Sequence, residues 1–405
     1  MLKRLVFLLA LFVSVSAQAI TKLSEDASVS LLTCSPGEKI YELFGHTGIH
    51  IVDKSQHIDC VFNYGLFDFN DSNFIFNFLR GKTDYQVGVC GYQDFALSYI
   101  LRNSSLTELQ LNLNQKEKQA IWEKLNWDIL PENKVYRYNF IFNNCATRPR
   151  DVFERNVEGN ISYPLSIQPI TYREAIEIYT ENAPWAKFAF DLCLGSHTDE
   201  VASERDLLFL PELLSESLSQ SYIIKDGNKT KLTQPLKEIF PKDTKIENEK
   251  NIFFTPIVVF SFLFLIIFLV SVYGYIKKTK YHWIDIVLFT VSGVVGSIIT
   301  FLFFFSKHPF TDANFNIIWL NPFMFAPILI WIFGKKKKSE CCLIFYFIES
   351  IVLTIFIVSM WAIPQYFNPA FIPLILLFLT RSALHVFFWG YHRNKKHHSK
   401  KRCME

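Results

Sequence analysis

The sequence predicts an exported α+β domain followed by an all-α bundle of five transmembrane helices. Three observations predict it. An apolar leader opens the chain, the charge balance reverses near Asn251, and five apolar stretches follow whose connections alternate in charge.

The leader occupies residues 1–19. Lys3 and Arg4 give a basic start, Leu5 to Val15 an apolar stretch, and Ala17-Gln18-Ala19 a small-residue cleavage site. That stretch is too short to cross a bilayer, which takes about 20 residues, so it reads as a secretory signal. Cleaved, or kept as an anchor, it exports Ile20 onward.

Between Ile20 and Asn251 lie 24 basic and 33 acidic residues, a formal charge of −9. Nucleic-acid phosphates call for a basic face, so that class of partner is excluded. Residues 20–224 are globular in composition, and the polar stretch 225–251 reads as a tether. Beyond Asn251 the balance is 15 basic to 5 acidic. Spans are expected at 252–276, 284–305, 317–334, 341–361 and 370–390, within a membrane domain of residues 252–390, with a basic tail at 391–405. Lys277 to Lys280, Lys335 to Lys338 and the tail follow spans one, three and five, whereas the other two connections hold only Lys307. The positive-inside rule puts the basic connections in the cytoplasm and Ile20–Asn251 on the opposite side, as the leader also implies.

Of eight cysteines, Cys341, Cys342 and Cys403 fall at or inside the cytoplasmic boundary. Cys34, Cys60, Cys90, Cys145 and Cys193 are exported. An odd number leaves at least one unpaired within the chain, and spacing does not say which pair.

Val29 to Thr33 is a short apolar run closed by the turn residues Cys34-Ser35-Pro36-Gly37. His46 to Val52 alternates with strand period, His46, Gly48 and His50 on one face, and Ile58 to Tyr64 is the expected return strand. With the turn centred between Lys54 and Ser55, Asn63 falls opposite His46, and a one-residue shift substitutes Tyr64. Gln115 to Leu125, Ile176 to Phe190 and Glu212 to Leu218 read as helices, Asn73 to Leu79 and Tyr92 to Leu101 as helical or mixed. Tyr136 to Phe142 is part strand. Asn144 is placed to cap a helix beginning at Cys145, with Pro149 tolerated near its start.

Two stretches carry chemistry, Phe44-Gly45-His46-Thr47-Gly48-Ile49 and Asn143-Asn144-Cys145-Ala146-Thr147-Arg148. A helix start lowers a thiol's pKa, and its N–H groups can hold an oxyanion. Cys145 is therefore the candidate nucleophile, His46 its base, and Asn63 the group orienting the imidazole. Against this stands the commoner fate of an exported cysteine, half of a disulfide. His50 and His197 read as structural or solvated. The exported cysteines and histidines show no zinc-like spacing, and neither metal nor cofactor is expected.

These stretches resemble the Lnb N-terminal periplasmic domain, the catalytic part of the lipoprotein N-acyltransferases of Bacteroides-type bacteria. The resemblance rests on Leu31 to Gly37, Phe44-Gly45-His46, Phe62-Asn63-Tyr64-Gly65, Arg80 to Tyr85, Tyr138-Asn139-Phe140 with Asn144 to Arg148, and Leu192 to Pro211. It implies a circularly permuted papain-like core of NlpC/P60 type in which the His strand precedes the Cys helix, with His46 as base and Cys145 as nucleophile. It implies an inner-membrane protein with its catalytic domain in the periplasm. The activity implied moves a fatty acyl chain from a phospholipid to the α-amine of a diacylglyceryl-cysteine lipoprotein, so a phospholipid donor, a diacylated lipoprotein and the bilayer are the expected partners. The alternatives are a membrane-anchored cell-wall amidase or peptidase using the same Cys145 and His46, and a non-enzymatic scaffold with Cys145 in a disulfide.

Two further expectations concern the membrane half. Glu349 and Arg381 sit at similar depths and are expected to pair. Lys307 to Asn316 is the longer exported connection, expected as a solvated turn or a contact to lipid headgroups.

Overall fold

The computed structural model describes residues 21–67, 73–242, 252–333 and 338–402. The leader and residues 243–251 of the expected tether lie outside them. A seven-stranded antiparallel sheet organises the exported part. Its strands are β1 (Ser28–Cys34), β2 (His46–Asp53), β3 (Ile58–Leu66), β4 (Asp84–Gly91), β5 (Leu106–Gln110) and β6 (Val135–Arg137), with Lys237–Phe240 at the edge, in the order Lys237–Phe240, β5, β1, β2, β3, β4, β6. Alternation along each strand feeds two cores, because successive side chains leave opposite faces. On one face Leu31, Ile49, Ile51 and Phe62 pack with helices α3 (Gln115–Asp128) and α4 (Thr147–Asn156). On the other, Leu32, Cys34 and Val61 pack beneath helix α2 (Tyr92–Ile100), which follows the short helix α1 (Phe74–Leu79). Each such fully buried aliphatic side chain contributes about 1.5–3 kcal/mol.

The β2–β3 register differs from the expected one. The observed partners are Ile49 with Phe62 and His50 with Val61, so Asn63 lies opposite Gly48 rather than His46. The turn is longer than expected. Asp53 accepts from the Ser55 and Gln56 N–H groups, holding one 3-10 turn over Lys54–Gln56, and His57 closes it at φ +53°. The shift is two residues, and a strand has period two, so Asn63 stays on the His46 face.

The chain continues through β7 (Asn160–Ile161), α5 (Tyr172–Thr180), α6 (Pro184–Cys193), α7 (Glu204–Leu207) and α8 (Pro211–Gln220). Pro184 at the first turn of α6 divides what the periodicity reads as one helix over Ile176–Phe190. Residues 225–240, expected as tether, are folded. Strands β8 (Tyr222–Lys225) and β9 (Asn228–Lys231) meet in a hairpin over Asp226 (φ +50°) and Gly227 (φ +78°), and β10 (Lys237–Phe240) is the edge strand on β5. An Asp-Gly pair suits a two-residue hairpin with both φ positive. The tether shortens accordingly.

The membrane half contains α9 (Pro256–Lys277), α10 (His282–Phe305), α11 (Ala326–Phe333), α12 (Lys338–Ser359) and α13 (Phe371–Arg402). Five segments are long and apolar enough to cross a membrane, 256–277, 282–305, 315–333, 340–362 and 371–389. The third is not one helix. Asn314 and Asn321 bond the N–H groups two residues ahead, producing two 3-10 turns before α11 begins. Gly296 lets this irregular backbone lie against α10, where a Cβ would fall 2.5 Å from the Asn321 nitrogen, and Gly293 makes room for the Phe325 ring.

Arg381 does not pair with Glu349. Its Nε and Nη2 reach the two Asp285 oxygens at 2.7 and 2.9 Å, Nη1 reaches Ser271 Oγ at 3.0 Å, and Nη2 also bonds the Lys280 carbonyl. Asp285 lies one turn into α10, and His385 Nε2 is 2.8 Å from its carboxylate. Glu349 is buried and its Oε1 has no hydrogen-bond partner.

Backbone contacts join the two halves. The Gly195 and Ser196 N–H groups donate to the Phe310 and Ala313 carbonyls at 2.7 and 3.1 Å, and the Lys307 N–H donates to the Arg80 carbonyl at 2.9 Å. Asn314 and Asn316 donate to Leu192 and Asp191 carbonyls, and Asn368 to the Asp191 carboxylate. The 307–316 connection is therefore a docking surface for the exported domain rather than a free turn.

Candidate active site

Cys145 sits in the bend leading into α4. Asn144 forms the bend: its Oδ1 accepts from the Ala146 and Thr147 N–H groups, and its Nδ2 donates to the Phe140 and Phe209 carbonyls. The helix begins at Thr147, two residues later than the sequence implies, so the N-cap position falls to Ala146 and Asn144 holds the bend before it. Its first free N–H groups are thus already bonded to Asn144. The Thr47 hydroxyl, next to His46, donates to the Cys145 carbonyl and ties the bend to the sheet.

His46 opens β2 on the α2 face, and its ring stacks near Tyr99 with centroids 6.1 Å apart. Its Nε2 lies 2.6 Å from Asn63 Oδ1. Because the amide oxygen only accepts, Nε2 carries the proton and Nδ1 is the basic nitrogen. The contact is a diagonal one across the β2–β3 pair, within reach for side chains on one face.

Gly65 brings imidazole and thiol together. It is the extra residue of a bulge between Tyr64 and Leu66, at φ +97°. A Cβ built there would lie 3.6 Å from Cys145 Cβ and 3.7 Å from His46 Cε1. The two candidate residues therefore flank the same small space, which an unbranched backbone keeps open. Bulges of this kind recur beside active sites, where they re-aim side chains. Asn63, which bonds the imidazole, belongs to the same Phe62-Asn63-Tyr64-Gly65 stretch. Tyr85 and Tyr138 stack with ring centroids 4.0 Å apart, and both lie within range of the Cys145 charge, which adds to burial in raising their hydroxyls.

Burial governs the titration of both groups. It pushes the Cys145 thiol up to about 11, outweighing the Thr47 and Cys145 N–H groups that favour thiolate. It also pulls His46 down to about 4, against the Asn63 hydrogen bond, and Arg102 adds to the fall. The helix-start effect expected for Cys145 is thus overridden, since the cysteine stands outside the helix. At neutral pH the pair rests as thiol and neutral imidazole.

The described cysteines, Cys34, Cys60, Cys90, Cys145, Cys193, Cys341 and Cys342, form no disulfide. Cys60 stands opposite Gly91 and Cys90 opposite Val61, so these two leave opposite faces of the sheet. His50 is structural: Nδ1 meets Glu108 and Nε2 meets Asp59, both at 2.9 Å. His197 bonds Glu200 at the surface. Among the described residues, His282, Asp285 and His385 have ligand atoms within 4.8 Å of one another. Arg381 occupies both Asp285 oxygens, so this cluster is first an ion-pair network.

Sequence reasoning missed Gly65 as a site residue, although it closes the Phe62-Asn63-Tyr64-Gly65 stretch. A glycine after strand alternation is a signal for a bulge or close approach. Tyr85, Tyr99 and Tyr138 left no comparable mark, being ordinary core aromatics by pattern.

Fold and site together define a protein with five segments able to cross a membrane and an α+β domain in which a thiol and an imidazole flank one glycine. Residues 17–177 match the Lnb N-terminal periplasmic domain and residues 247–393 match the Lnb transmembrane domain. Together these cover more than half the chain, which belongs to the Lnb family and is a membrane enzyme of lipoprotein processing. No curated protein and no solved structure gives a significant match.

Proposed function

We propose that this chain is a lipoprotein N-acyltransferase of the bacterial inner membrane, acting through a thioester on Cys145. The observation that carries the reading is the thiol–imidazole pair around Gly65, in a domain bonded directly to the extracytoplasmic loops of five spans. Both substrates are held in a bilayer, and a soluble murein hydrolase has no need of such an attachment.

His46 Nδ1 takes the Cys145 proton as sulfur attacks the ester carbonyl of a phospholipid. The tetrahedral intermediate collapses, the proton passes to the departing glycerol oxygen, and lysophospholipid leaves. The α-amine of a diacylglyceryl-cysteine lipoprotein then attacks the thioester, His46 accepts the amine proton, and the thiol is restored as the amide forms. The Cys145 N–H is the oxyanion donor in this scheme, because the Ala146 and Thr147 N–H groups are occupied. In this scheme Asn63 holds Nε2, which leaves Nδ1 as the nitrogen that serves the sulfur. Water exclusion falls to the aromatic wall of Tyr85 and Tyr138 and to the docked membrane loops.

Incubation of the full chain with phospholipid alone should add one fatty acyl mass at Cys145 and release lysophospholipid. Neutral hydroxylamine should remove that mass, and lipoprotein should discharge it onto its N-terminal amine faster than water does. Acylation of Cys145 by a murein peptide, with none by phospholipid, would establish the amidase or peptidase instead.

A further inference from the structure

Helix α1 is rich in apolar residues, yet none of its side chains is fully buried. Ile75 is 74% and Phe76 54% exposed, and Phe78 is exposed beside them. Its position explains this surface. The His308 ring nitrogen bonds the Phe78 carbonyl at 2.5 Å, and the Lys307 N–H bonds the Arg80 carbonyl. A Cβ at Gly81 (φ +62°) would lie 2.3 Å from the His308 nitrogen, so the two backbones touch. Lys307 comes two residues after the end of α10, a span. Helix α1 is thereby fixed beside the end of a span, with Ile75 and Phe76 exposed there.

The same contact gathers three cations, Arg80, Lys82 and Lys307, from segments far apart in sequence. None has a carboxylate at ion-pair distance among the described residues, and Arg80 lies over the Phe76 ring at 5.3 Å. Their repulsion is felt: Arg80's charge, then burial, then Lys307 and Arg137 hold Lys82 below the usual lysine range. Lys82 precedes Tyr85 by three residues, roughly 10 Å at strand rise, and Tyr85 is near enough to Cys145 for the thiolate's charge to add to burial in raising its hydroxyl. The Thr83 carbonyl also accepts from the Tyr138 N–H at 3.1 Å.

We propose that Arg80, Lys82 and Lys307 bind the headgroup phosphate of the donor phospholipid, with Ile75 and Phe76 inserted among the surrounding acyl chains. The phosphate then sits a short glycerol bridge away from an ester presented to Cys145, which positions the ester and selects donors that carry a phosphate. This rests on the acyltransferase reading for its purpose, but the binding is separable from the chemistry.

Two readouts on the full chain separate them. The first is phospholipid retained by Cys145→Ser protein after detergent purification, measured by native mass spectrometry. Retention should fall at least tenfold in Cys145→Ser with Lys82→Gln and Lys307→Gln, and Lys82→Arg should preserve it. Unchanged retention in that variant overturns the site, as does displacement of the lipid by millimolar inorganic phosphate, which would mark a free-anion site. The second is the ratio of Cys145 acylation by phosphatidylglycerol to acylation by diacylglycerol, which lacks phosphate. That ratio should fall about tenfold in Lys82→Gln with Lys307→Gln on otherwise wild-type protein. An unchanged ratio overturns the proposal while leaving the transferase intact. Charge-dependent retention with no acylation by any phospholipid sinks the transferase and leaves the phosphate site standing.

Discussion

Gly65 is the residue on which the site turns. Gly65→Val would place two methyl groups between Cys145 and His46 and force a branched residue to φ +97°. Acyl-enzyme formation should drop at least a hundredfold, close to the loss in Cys145→Ser, while the protein still accumulates in the membrane; near-normal acylation would mean the pair meets elsewhere. Titration gives a second expectation. With the thiol at about 11, iodoacetamide labelling of Cys145 should be slow at pH 7 and still climbing above pH 9, where an activated thiol has already levelled off. His46, held at about 4 against an ordinary 6.5, binds its proton less readily folded than unfolded. Stability therefore falls as pH drops from about 6.5 to about 4, by roughly 3 kcal/mol. The His46→Gln protein should lack that part of the acid loss, seen as a smaller shift of Tm between pH 7 and pH 4. His50 cannot take over as base, because four residues of strand put it roughly 13 Å away, bonded to two carboxylates.

Elements differ in how much of themselves they show in sequence. Strands β1 to β3 were legible because alternation at His46–Val52 and the turn residues around Asp53 are local signals. The register was not, since a 3-10 turn and a two-residue turn leave the same composition. Asn63 was nonetheless on the right face, as an even shift preserves parity. The β8–β9 hairpin carried a readable Asp226-Gly227 pair, hidden by strands of Lys, Asn and Thr with no apolar face. Within the membrane, hydropathy located all five spans but was blind to partners. Arg381 chose Asp285 over Glu349 because Asp285, near the end of its span, is met from α13 by both Arg381 and His385. Asp285→Ala should lower stability by about 3–5 kcal/mol by leaving a buried guanidinium unpaired. Glu349→Gln should change it by less than about 1 kcal/mol, because no bond to Oε1 is lost. Thermal unfolding of the two purified variants decides this, and equal losses would contradict the assignment.

The whole molecule is two domains sharing a backbone seam. A Cβ at Gly195 would fall 2.0 Å from the Asp312 carbonyl oxygen, so Gly195→Ala should unseat the periplasmic domain without entering its core. Transfer to membrane-anchored lipoprotein should fall at least tenfold, while Cys145 keeps its reaction with a small water-soluble ester; equal loss of both would point to misfolding. What the seam fixes is altitude. Gly81 and Gly195 each allow contact at backbone distance, and the side chains of Asn314, Asn316 and Asn368 bond across the same seam. On the proposed acyltransferase reading, a thiol held at a fixed height over the bilayer selects its acceptors as a ruler does. An amine carried on a lipid anchor arrives at that height on every encounter, whereas the N-terminus of a soluble protein passes through it only by chance.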